Sequence, residues 1–139
     1  MSVLKKGLLG LIVAHFAAFS SIAWTQTSQP LPKRIAKADP TRYRTVQDGK
    51  DWKNPYLVVR PNGIELVGTT PPGSVIPVEK VKEVLEGLPT SSWPYGLVVA
   101  VQDIGLISDG DLPRIQATRQ RLLRLLKELG ITADPWPSA

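Results

Sequence analysis

The chain has 139 residues with no cysteine and one histidine, and its 17 Lys and Arg against 12 Asp and Glu give a formal charge of +5. Disulfides, thiol nucleophiles and cysteine zinc sites are excluded, and any chemistry that needs imidazole has only His15 to use. The length suits one compact domain and is short for two.

Lys5 and Lys6 precede an apolar run from Gly7 to Trp24, broken only by His15, Ser20 and Ser21. A basic start, an apolar stretch and the small residues Ser21 and Ala23 predict a secretory signal peptide over 1–23, cut after Ala23. Export to the periplasm or beyond then removes His15, leaving a mature chain with neither imidazole nor thiol. The alternative is an uncleaved anchor in the inner membrane, since the run approaches the minimum for a bilayer span.

Residues 24–53 hold seven Lys or Arg against three Asp, with Pro30, Pro32 and Pro40 and few large aliphatics, whereas 54–139 hold eight bases against nine acids. The first stretch reads as a flexible basic linker that offers contact with anionic lipid headgroups, and the second as a nearly neutral domain. A nucleic-acid partner is not expected, because these bases are not interleaved with aromatics that stack on bases.

Within 54–139, Tyr56 to Arg60 is β-rich, Pro61-Asn62-Gly63 supplies a turn, and Ile64 to Val67 alternates apolar with polar, which together predict a hairpin. Pro77 opens a helix in which Val78, Val81, Val84, Leu85 and Leu88 share one face, and Gly87 and Pro89 close it. Leu97 to Val101 is apolar without alternation, as in a central strand covered on both sides. A second helix, capped by Asp111 and running to Leu129, carries Leu112, Ile115, Leu122, Leu123, Leu125, Leu126 and Leu129 on one arc, and Ile131 to Ala133 offers a last short strand. The order ββαβα(β) implies a small two-layer α/β (α+β) sandwich, with parallel strands on either side of a helical crossover. The apolar central strand leaves the sheet's second face to be covered by Trp52 or Trp136, or by another subunit, so a protein partner or a homodimer is expected.

Asn62-Gly63-Ile64-Glu65-Leu66, Val78-Glu79-Lys80-Val81, Gly96-Leu97-Val98-Val99-Ala100-Val101 and the ending Leu129-Gly130-Ile131-Thr132 resemble the periplasmic domain of ExbD/TolR-type transport proteins over residues 55–134. The resemblance implies an envelope component that contacts partners through its soluble domain. In that family a membrane helix with an essential aspartate joins a proton-driven motor, and the apolar segment here has no Asp or Glu. Asp48 to Tyr56 and Pro135 to Ser138 are similar to exported bacterial proteins to which no activity attaches.

Without imidazole or thiol, a mature chain is left with carboxylates and serines for chemistry. The densest group is the loop from Asp103 to Asp111 after the central strand, where α/β folds often bind ligands. Asp103, Asp109 and Asp111 lack EF-hand spacing, so no metal or other cofactor is expected, although a carboxylate-dependent hydrolase stays open as an alternative. Arg119 falls inside the apolar arc of the second helix, so its charge needs a partner such as Asp103, an acidic group at an interface, or an exit to water. Arg119 and Asp103, with Trp93 and Tyr95 beside the central strand, are the candidate binding residues of an exported, non-enzymatic interaction module.

Overall fold

The computed structural model describes residues 29–105 and 108–138. The expected signal peptide lies outside them, and among the described residues no helix is long and apolar enough to cross a membrane. Two single helical turns come first, α1 (Leu31–Arg34) and α2 (Pro40–Tyr43), followed by β1 (Tyr56–Arg60) and β2 (Gly63–Val67). Then come α3 (Val78–Glu86), β3 (Val98–Asp103), α4 (Leu112–Glu128) and β4 (Thr132–Trp136).

The strands form one mixed sheet in the order β2-β1-β3-β4, with β1 antiparallel to β2 and parallel to β3, and β3 parallel to β4. The architecture is therefore the expected small α/β sandwich. Parallel strands do flank α4, but β2 and β3, which flank α3, run in opposite directions because β1 lies between them.

Alternation along each strand sends Leu57, Val59, Ile64, Leu66, Val99 and Val101 to the helix side, where they meet Val78, Val81 and Leu85 of α3 and Ile115, Leu122 and Leu126 of α4. Burying each such side chain contributes roughly 1.5–3 kcal/mol, which makes this layer the main source of stability. The buried positions of α4 recur at helical spacing and include Thr118, whose hydroxyl donates to the Pro61 carbonyl at 3.3 Å and ties the helix to the β1–β2 turn. Leu112 and Leu123, expected in the buried arc, are instead 47% and 39% exposed. Asp111 precedes α4 but does not cap it through its side chain, which is held by Ser108 and Arg114.

The opposite sheet face is covered from within the chain. Val98 and Ala100 of β3 pack with Trp52 and Tyr95, and Tyr43, Val46, Tyr56 and Trp136 close the layer. Ring centroids of Trp52 lie 5.1 Å from Tyr95, 5.7 Å from Tyr43 and 5.7 Å from Trp136, in the tilted and edge-on arrangements that aromatic quadrupoles favour. Both tryptophans thus cover the face expected to be bare, which removes that reason for a second subunit.

The segment before β1 corrects the reading of 24–53 as a flexible linker for its described part, since Leu31 and Ile35 join the helix-side core and Trp52 joins the aromatic layer. Leu31, Ile35 and Trp52 are buried, the Leu97 amide donates to the Ala36 carbonyl at 2.9 Å, and Asp39 donates to Tyr95 at 2.9 Å. Arg34 donates to the carbonyls of Glu86 and Leu88 at the end of α3, where a cation also favours the helix dipole. Three well-spaced apolar anchors and backbone pairing suffice to dock a segment whose remaining residues are mostly polar. Gly96, at φ +82°, permits this approach, since a Cβ there would collide with the Lys37 carbonyl.

Asn54 locks the junction between this segment and the sheet. Its buried amide donates to the carbonyls of Gly96 and Val98, both at 2.7 Å, and accepts from the Tyr95 amide at 2.9 Å. The side chain thereby continues the β1–β3 ladder past Pro55, which has no N–H to donate.

Both sheet edges are poor templates for further pairing. On β2, Ile64 exchanges two 2.8 Å hydrogen bonds with Ile76, and the Leu66 carbonyl accepts from Thr69 and Thr70. On β4, Thr132 donates inward to Leu97, so alternation turns the amide positions of Ala133 and Pro135 outward, and proline has no hydrogen to offer there.

Candidate binding pocket between α4 and β4

Asp103 is the last residue of β3 and by alternation follows Val99 and Val101 onto the helix side of the sheet. Arg119 approaches it from α4, and its Nη1 donates to Asp103 Oδ2 in a close ion pair. The Arg119 side chain is 39% exposed and that of Asp103 only 21%. The second carboxylate oxygen, Oδ1, is buried and accepts no hydrogen bond among the described residues. An anionic oxygen left in that state costs about 1–3 kcal/mol or more, so the ion pair is not a device for maximising stability.

A pocket of about 230 Å³ opens beside this pair, lined by Val101, Asp103, Arg119, Leu123, Ala133, Pro135 and Trp136. Its walls are apolar apart from the ion pair. Leu112, Arg119 and Leu123 fall within about 40° of one another at 100° per residue, so the two exposed leucines flank the guanidinium along one face of α4. A wider furrow of about 480 Å³ runs between α3 and α4, lined by Val78, Glu79, Arg121, Arg124, Leu125 and Glu128. Its Arg121–Glu79 ion pair is largely exposed, so water screens it and it is weak as a recognition element.

The remaining carboxylates of the Asp103 to Asp111 loop do not join the pocket. Asp111 accepts from the Ser108 hydroxyl at 3.0 Å and faces Arg114 at 3.7 Å, while Asp109 is exposed in a turn of 3₁₀ helix. Leu106 and Ile107 lie outside the described residues. Among the described residues, no three His, Cys, Asp or Glu side chains come together as a metal site would require.

Trp93 and Tyr95, expected among the binding residues, are buried structural residues instead. Trp93 belongs to the helix-side core, and Tyr95 to the aromatic layer, where its hydroxyl donates to the Asp51 carbonyl at 3.2 Å. Burial pushes the Tyr56 phenol above its ordinary value, and burial followed by the nearby Asp134 carboxylate does the same for Tyr43. The pocket residues that sequence reasoning missed are Val101, Leu123, Ala133, Pro135 and Trp136. Carrying strand alternation through Pro135 would have placed it beside Asp103.

No protein-family model matches the chain, and neither the curated proteins nor the solved structures give a match. The resemblance to the ExbD/TolR-type periplasmic domain therefore rests on the sequence motifs alone.

Proposed function

We propose that this chain is a non-enzymatic binding module that works outside the cytoplasm and meets its partner through the pocket between α4 and β4. One observation carries the reading: Arg119, braced by Asp103, stands half-exposed within apolar walls and is flanked by the exposed Leu112 and Leu123. Bracing fixes the direction of a charge and lowers the entropy lost on binding, and exposed leucines beside a fixed arginine are characteristic of contact surfaces. The absence of imidazole and thiol after Ala23, together with the divergence of the loop carboxylates, supports binding over hydrolysis. Photo-crosslinking in intact cells tests the surface. A photoreactive residue at Leu123 should capture a partner that one at Lys82 on α3 does not, and equal capture at both would overturn the reading. Sequencing the N-terminus of the envelope protein should begin at Trp24, and retention of Met1 would replace export in free form by membrane anchoring.

The basic residues between 29 and 53 support a second contact, with an anionic membrane surface. Lys33, Lys37, Arg42, Arg44, Lys50 and Lys53 are exposed along the docked segment, and each basic residue near such a surface contributes roughly 1 kcal/mol. Co-sedimentation with anionic but not neutral vesicles, lost at high salt, is the expected result, and equal binding to neutral vesicles would exclude it.

A further inference from the structure

We infer that the pocket between α4 and β4 takes a monocarboxylate with a small apolar body. This inference rests on the reading of the pocket as the contact surface and names what that surface recognises. Three features of the pocket carry it.

The two charged groups are unequal. One oxygen of Asp103 faces Arg119 and the other is shut away from solvent, so the carboxylate is largely spent within the pair. Arg119 is the more exposed partner and spends only Nη1 on Asp103; among the described residues its Nη2 and Nε have no acceptor. The site therefore presents donors, and guanidinium donors are arranged to meet a carboxylate edge-on. Asp103 contributes by holding the fork in place. The pocket holds no lysine and no further arginine, so it offers the donors of one guanidinium to a single carboxylate and no added positive charge for a dianion such as phosphate.

The body of the ligand is set by the walls. Val101, Leu123, Ala133, Pro135 and Trp136 offer no polar side-chain group except the Trp136 indole N–H, which is already given to Asp134 at 3.0 Å. A volume of about 230 Å³ exceeds the roughly 150 Å³ of an apolar cavity that holds benzene, and lies below the range of about 300–1,000 Å³ for drug-sized ligands. A phenyl or branched aliphatic group with a carboxylate fits these limits. Such chemistry comes either as a small free acid or as the last residue of a polypeptide whose C-terminus is free.

Nuclear magnetic resonance titration of the ¹⁵N-labelled, exported protein tests this, using phenylacetate, phenylacetamide, and the peptide acetyl-Gly-Gly-Phe as acid and as amide. A hydrogen bond to a charged group changes affinity by roughly 10- to 100-fold. Phenylacetate should therefore move the Ala133 amide and Arg119 Nε signals with a Kd near about 1 mM, and phenylacetamide should bind at least about tenfold more weakly. Arg119→Met should abolish the difference between acid and amide while leaving the fold's amide spectrum intact. Tighter binding of the peptide acid than of phenylacetate identifies a chain terminus as the source, and weaker binding identifies a free acid. Equal binding of acid and amide at these signals overturns the carboxylate assignment and leaves the pocket as an apolar contact surface. Shifts confined to residues 33–53, or absent for every probe, also overturn it, whereas failure of the broader reading is reported separately by crosslinking at position 123.

Discussion

Replacing Asn54 separates two accounts of how the segment before β1 is held. If the buried amide is the lock, Asn54→Ala removes three hydrogen bonds and strands the Tyr95 amide and the Gly96 and Val98 carbonyls in a buried site. At about 1 kcal/mol for each bond, the loss is about 3 kcal/mol, and the unpaired groups push it higher. Asn54→Asp keeps the acceptor for Tyr95 but loses both donors and sets a carboxylate against two carbonyl oxygens, so it should cost at least as much as alanine at neutral pH. Urea unfolding followed by tryptophan fluorescence reads both variants. With a slope of about 1.5–2 kcal/mol per molar, a loss of about 3 kcal/mol moves the midpoint down by about 1.5–2 M, with the slope unchanged. A cost below about 1 kcal/mol for alanine, or an aspartate variant milder than alanine, would refute the reasoning and leave the segment held by its apolar anchors and backbone pairing.

Leu31→Ala should lose roughly 2–5 kcal/mol in the same assay, because Leu31 is 1% exposed; a tether would lose nothing. Leu122→Ala should cost a similar amount, while Leu123→Ser, on the exposed side of α4, should stay within about 0.5 kcal/mol, and equal costs would contradict the observed rotation of the helix. The phenols of Tyr43 and Tyr56 are raised in the folded state, so the stability they contribute is full below the unfolded value of about 10 and is lost as pH rises through the folded values. Thermal melts from pH 9 to 11 should therefore show a decline above about pH 10 that Tyr56→Phe blunts, and an identical decline in the variant would exclude this cause.

The elements that could be read from the sequence are those whose signal is local. Val78, Val81 and Leu85 repeat at helical spacing, and Pro61-Asn62-Gly63 sits between two β-rich runs, so α3 and the hairpin stand where expected. Leu97 to Val101 was legible for the opposite reason, since the lack of alternation marks a strand covered on both faces, and both faces are covered. The docked segment was hidden because Leu31 and Ile35 make a single helical step and Trp52 stands well beyond them, too few apolar positions to establish a period, and the Asn54 lock joins residues more than 40 positions apart. The pocket was half legible. Angular position singled out Arg119 and suggested Asp103, but the contribution of Pro135 and Trp136 required knowing that a strand continues through a proline, which only an outer position in the sheet allows.

The blocked borders of the sheet have a consequence for how copies of this protein meet one another. A chain without disulfides has no covalent check on partial unfolding, and a bare strand would then seed ribbon-like fibres. Here Ile76 pairs one margin and Pro135 withholds a donor at the other, so the sheet offers a second copy a poor template for strand addition.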